Sequence, residues 1–215
     1  MRNRFTSQLE ALNDGIIEMG ALVEEAFAEA TEALLYFNKE QAQRNIDNDK
    51  DIDQKMKDIE TLCLRLLLSQ QPVARDLRLI SASLKMVSDL ERIGDQCANI
   101  SEIVLTLAQK STNPAPIPVI PIMSTNISRM ISQGIDAFVR KDLPLAKRVC
   151  DMDNIIDNAF IEAKKTLIES IRSNSAEADN VIDSFMIAKY LERIGDHAVN
   201  VAKWVVFAET GSREV

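Results

Sequence analysis

Six consecutive residues, LERIGD, occur twice in this chain of 215 residues, at 90–95 and again at 191–196, an offset of 101. Beyond the hexamer, Asn99 recurs as Asn200. Leu79, Ser83, Met86, Leu90, Ile93, Cys97, Ile100, Val104 and Leu107 follow steps of four and three, and Ile187, Leu191, Ile194, Ala198, Val201, Val205 and Ala208 repeat the rhythm. Such steps line up one helix face, the a/d seam that packs a bundle. A weaker echo, at an offset of 104, aligns Asp49 and Asp53 with Asp153 and Asp157, and Arg44 with Arg148. A match recurring at equivalent places in two halves marks a tandem duplication of a helical unit.

Turn-forming residues are scarce, with 6 Gly and 6 Pro, and aromatics make up only 5%, so a fold of many short strands is not expected. Four of the prolines (Pro114, Pro116, Pro118, Pro121) fall in NPAPIPVIP. They remove backbone donors and disfavour helix before them, which predicts an extended connector over 111–121 between repeats at 1–110 and 122–215. Pro72 and Pro144 suit helix starts. The pattern predicts helices at about 4–37, 39–69, 74–109, 120–140, 142–173 and 176–208, three on either side of the connector. Long helices with short links pack antiparallel, so the expected fold is all-α, as two tandem three-helix bundles.

Asp and Glu exceed Lys and Arg by 33 to 25, giving a net charge of −8 and no basic excess for duplex nucleic acid. The longest uncharged stretch, Ser111 to Ser128, holds four prolines and many polar groups and does not read as a membrane span. The N-terminus lacks the apolar run of a signal peptide. These features lead us to expect a cytoplasmic protein. Cys63, Cys97 and Cys150 show no CxxC spacing and are odd in number, which fits reduced core thiols.

Both repeats carry acidic residues four apart: Asp49 with Asp53 and Glu91 with Asp95 in the first, Asp153 with Asp157 and Glu192 with Asp196 in the second. Residues four apart stack on a helix, where like charges cost roughly 0.2–0.5 kcal/mol per pair. A sequence shaped only by stability would alternate the signs. At 100° per residue the carboxylates of LERIGD lie away from the a/d seam, on the surface or in a groove between helices. If the second and third helices of a repeat lie side by side, four carboxylates converge, a donor set for hard cations such as Mg²⁺, Mn²⁺, Ca²⁺ or iron. Gly94 and Gly195 allow those helices to approach closely. The competing reading is a solvated acidic face.

No GxSxG, Gly-rich phosphate loop or Cys–His pair is present, and a single histidine cannot supply the paired Glu-x-x-His motifs of di-iron bundles. His197 faces Gln96 in the repeat alignment and reads as a polar surface residue, and Trp204 as a core residue flanking the seam. No cradle of backbone donors or clustered arginines for phosphate is visible.

The duplicated LERIGD-x-x-x-N, the segment QPVARDLR at 71–78, the Asp-x-x-x-Asp pairs and the proline-rich midpoint together resemble the PhoU family of bacterial phosphate-signalling regulators. The resemblance covers the whole chain. It implies two three-helix bundles side by side and no enzymatic activity. It also implies a divalent or multinuclear metal (Fe, Mn, Mg or Zn) at Asp49, Asp53, Glu91, Asp95, Asp153, Asp157, Glu192 and Asp196. The implied role is to restrain phosphate uptake and the starvation response. The implied partners are the ATPase subunit of the phosphate ABC transporter, a phosphate-sensing histidine kinase and a second copy of the chain. A metal-storage or redox protein and a purely structural scaffold are the alternatives. One departure is SNSAEADN at 173–180, where the first half has QPVARDLR. Arg75 and Arg78 therefore belong to the first half alone and read as helix-start solvation rather than a partner contact.

Overall fold

The computed structural model describes residues 2–70, 72, 74–109, 117–173 and 178–214. Six helices account for nearly all of them: α1 (Arg2–Tyr36), α2 (Lys39–Gln70), α3 (Ala74–Gln109), α4 (Ile120–Arg140), α5 (Leu143–Arg172) and α6 (Ala178–Thr210). The expected boundaries hold to within about two residues. The expected connector end is corrected: Ile120 already begins α4, with Pro121 in its first turn. A proline there forfeits no helical bond, because the first N–H groups have no intrahelical partner. Of the expected connector, residues 111–116 lie outside the described residues, as do 176 and 177 of the predicted sixth helix.

The repeat reaches down to the turns. Phe37 and Lys141, 104 apart, both adopt left-handed backbone (φ 55° and 54°) without being glycine. Each is followed by an Asx residue whose N–H reaches back, Asn38 to Ala33 O at 3.2 Å and Asp142 to Ala137 O at 2.9 Å. The same side chain caps the next helix: Asn38 Oδ1 accepts from Gln41 N at 3.1 Å, and Asp142 Oδ1 from Leu145 N at 2.9 Å. One short polar residue thus ends one helix and starts the next.

Within each half all three helices touch: α1, α2 and α3 in the first, α4, α5 and α6 in the second. The halves join where α3 meets α6, the most extensive helix–helix contact of the molecule, with a smaller contact between α1 and α4. Exchanging the halves maps this scheme onto itself. The a/d seams meet there: Met86, Leu90, Ile93, Cys97 and Ile100 on α3, and Ile187, Leu191, Ile194, Ala198 and Val201 on α6, are all buried in one continuous core that includes both halves. The repeats are unequal in one respect. α4 has 21 residues against 35 in α1, and Ile168, Ile171, Ile182 and Phe185 of α5 and α6 are left exposed. Among the described residues no helix is long and apolar enough to cross a membrane.

Candidate functional site: two acidic grooves and the seam between them

Glycine sets the spacing of the first acidic groove. A Cβ on Gly94 would lie 2.9 Å from Ile52 Cδ1 and 3.2 Å from Asp49 Oδ1, so the missing atom leaves room for the tips of two α2 side chains. In the second half a Cβ on Gly195 would lie 3.3 Å from Ile156 Cγ2. Ile52 and Ile156 are buried beneath the acids, which holds Asp49 and Asp153 half-buried above them.

All eight candidate ligands fall in these two grooves. Partial burial, then the charges of Asp95, Asp53 and Glu102, push the carboxyl of Asp49 up from 3.8 to about 6. Burial and the charges of Asp157, Asp196 and Glu192 push Asp153 to about 6 as well, against the pull of Lys203. Glu91 is raised by burial and by Asp95, Asp53 and Asp49, with Arg92 opposing, and Asp196 by burial, Glu192 and Asp157, with Lys189 and His197 opposing. Each half therefore concentrates four carboxylates at mutual electrostatic cost, the environment in which a bound cation relieves repulsion.

Among the described residues, no three His, Cys, Asp or Glu side chains are gathered around one point as a ready ligand set. Several of the acids are held by neighbouring bases instead. Arg92 pairs with Asp95 at 2.8 Å and Glu91 at 3.5 Å, Lys57 with Asp53 at 3.6 Å, and Lys189 with Glu192 at 2.5 Å. The donor chemistry fits a hard cation, and the side chains must exchange these ion pairs to surround one.

The seam between the grooves holds features the periodicity missed. Asp89 accepts three hydrogen bonds from α6, from His197 Nδ1 at 2.9 Å, Trp204 Nε1 at 3.0 Å and Asn200 Nδ2 at 3.2 Å. A carboxylate can only accept, so the histidine carries its proton on Nδ1. His197 is thus a half-buried anchor between the repeats rather than a free surface residue, and Trp204 flanks the core with its N–H engaged. The guanidinium of Arg213 lies 3.9 Å from the Trp204 ring centroid. Arg75 is tied across the halves to Glu209 at 3.0 Å, which corrects its reading as simple solvation. The repeat offered one signal for Asp89: Tyr190 stands at its place, directly before the identical LERIGD. The three cysteines are unpaired; Cys63 and Cys97 are buried, and burial with the nearby Glu60 pushes the Cys63 thiol up to about 12.

Comparison with known proteins places this arrangement. The profile of the PhoU domain matches residues 16–104 and again 120–205, one match per half. A "Phosphate-specific transport system accessory protein PhoU homolog" of Zymomonas mobilis is 35% identical over 97% of this chain and 88% of its own length. One of Pseudomonas aeruginosa is 31% identical over 97% and 86%. The crystal structure of PhoU from Pseudomonas aeruginosa superposes with a TM-score of 0.93 at 31% identity, covering 97% of this chain and all of that one. That of the phosphate transport system regulatory protein PhoU from Streptococcus pneumoniae gives 0.90 at 28%, covering 98% and 99%.

Proposed function

The chain belongs to the PhoU family, and from that membership we propose that it is a non-enzymatic accessory protein of phosphate transport. It acts by stoichiometric binding in the cytoplasm, restraining phosphate uptake and keeping the starvation response off when phosphate is plentiful. Its partners are the ATPase subunit of the phosphate ABC transporter, a phosphate-sensing histidine kinase and a second copy of itself. The observation that carries this reading is the double, nearly end-to-end match to proteins named as phosphate-transport accessory proteins.

Within this role, the acidic grooves hold divalent or multinuclear metal. Asp49, Asp53, Glu91 and Asp95 serve the first site, and Asp153, Asp157, Glu192 and Asp196 the second. Bound metal supplies charge neutralisation, drawing α2 against α3 and α5 against α6. The raised carboxyls of Asp49 and Asp153 support this assignment.

The test is a phosphate-starvation reporter in the source organism, with the gene deleted and phosphate abundant. Activation of the reporter, reversed by the intact gene, is expected; a silent reporter overturns the regulatory role. Elemental analysis of protein purified without chelator tests the sites. Glu91→Ala with Asp95→Ala should remove about half of the bound metal, leaving the second groove filled. Unchanged metal content sinks the ligand assignment.

A further inference from the structure

The two acidic grooves descend from one repeat, yet the charges beside them differ. The offset of 101 maps Glu102 of α3 onto Lys203 of α6, and Ser88 onto Lys189. In the first groove Glu102 stands two helical turns beyond Asp95 on the same face of α3. Its neighbour Ser101 is pinned to α2 by the bond to Asn45 at 3.2 Å, so this stretch of α3 packs on the helix that carries Asp49. Glu102 is exposed and enters no ion pair among the described residues. After burial and the charges of Asp95 and Asp53, its charge adds to the upward push on the Asp49 carboxyl.

The second groove carries bases at the matching places. Lys189 Nζ lies 2.5 Å from Glu192 Oε2, and the same ammonium sits 5.3 Å from the Phe160 ring centroid. Lys203 lines one hollow with Asp153 and Asp196, and it pulls the Asp153 carboxyl down against burial and three acids. The bases of the first groove are of another kind. Arg92 and Lys57 are each more than half exposed. Exposed ion pairs are weak, so both yield readily to an entering cation. The pair of Lys189 with Glu192 is part-buried, where water and salt screen it less. Exchanging an acid for a base at one place changes the local field by two charges, and a divalent ion feels that change doubly.

We propose that the two grooves are unequal sites for divalent cations: the first binds the more tightly and fills first, Glu102 adding to its charge, while Lys189 and Lys203 stand in the second as resident cations. The proposal rests on the assignment of metal to the grooves and ranks them. At a low metal level only α2 and α3 are drawn together; at a higher level α5 and α6 follow. The chain then responds to metal in two steps, although its two ligand sets come from one motif. The repeat hid the difference because the four carboxylates match and only their neighbours do not.

The full chain, stripped with chelator, is titrated with Mn²⁺ while electron paramagnetic resonance reads the free ion. Two affinity classes are expected, about tenfold or more apart. Glu91→Ala with Asp95→Ala should abolish the tight class, and Glu192→Ala with Asp196→Ala the weak one. Each charge exchange then moves one class. Glu102→Lys should weaken the tight class about tenfold or more, and Lys203→Glu should tighten the weak class by a similar factor, with the thermal midpoint of the metal-free protein kept in both. Absence of any bound Mn²⁺ at about 1 mM free ion overturns the assignment of metal and this proposal with it. A single affinity class overturns the ranking alone. So does loss of the weak class with Glu91→Ala and Asp95→Ala, or a pair of charge exchanges that leaves both classes unmoved.

Discussion

Single atoms decide how closely these helices approach. A Cβ on Gly20 of α1 would meet three side-chain atoms of Ile135 on α4 at 2.7–3.1 Å, both γ branches included, so the Ile135 side chain would have to shift. Ala favours helix over Gly by about 1 kcal/mol, whereas overpacking costs typically about 1–3 kcal/mol, so Gly20→Ala should destabilise on balance. At Gly134 the nearest atom is Val201 Cγ1 at an ordinary 3.4 Å, and Gly134→Ala should stabilise by up to about 1 kcal/mol, read by chemical denaturation. Charge is balanced as finely. In metal-free protein the folded state holds protons on Asp49 and Asp153 up to about pH 6, while the unfolded chain releases them from about pH 4 upward. Stability therefore rises as pH falls through that window and is flat above it. The thermal midpoint of chelator-treated protein should be higher at about pH 5 than at about pH 7.5, and Asp49→Asn with Asp153→Asn should flatten the difference. The acids were legible in the sequence because like charges at i,i+4 have no local reason to exist. The Arg75–Glu209 pair and the Asp89 cluster were not, since each joins residues more than a hundred positions apart.

Among the helices, periodicity gave nearly everything: all six elements, both buried seams and the short α4 can be read from apolar spacing and proline placement. What it could not give is which polar residues lie inside. Asn45 on α2, 2% exposed, donates to Ala26 O of α1 at 2.6 Å and accepts from Ser101 Oγ of α3 at 3.2 Å, tying three helices together. The second half solves the same problem without polar atoms, with buried Val149 and Ala202 at the matching positions. Apolar replacement of one partner strands the other, whereas replacement of both is close to neutral. Asn45→Val alone should cost about 1–3 kcal/mol, and adding Ser101→Ala should recover part of that loss, giving a coupling of about 0.5 kcal/mol or more in a double-mutant cycle. The turns make a second test. Removing the cap with Asp142→Ala should lower stability by about 1 kcal/mol, because the side chain that satisfies Leu145 N also sits in the tightest link of the second half.

For the molecule as a whole, the contact scheme is that of a two-fold dimer: α3 against α6 and α1 against α4, each surface meeting its own copy. The core runs through the seam, so the packing rather than the peptide link holds the halves together. Residues 1–110 and 117–215, expressed as two polypeptides in one cell, should co-purify as a folded pair. Either piece alone should aggregate, because it exposes Leu90, Ile93 and Ile100, or Leu191, Ile194 and Val201. Separate, well-folded pieces would overturn this. Covalent joining carries a further consequence. A homodimer is bound by its symmetry: whatever one side of the seam gains, the other gains too. Once both copies are read from one chain, that obligation lapses. Asp89 can face Tyr190, Gln96 can face His197 and Glu102 can face Lys203 in the repeat register, so one seam presents two unlike edges. A molecule with two different edges has a direction, and can hold unlike partners at fixed places where a symmetric homodimer can only hold two alike.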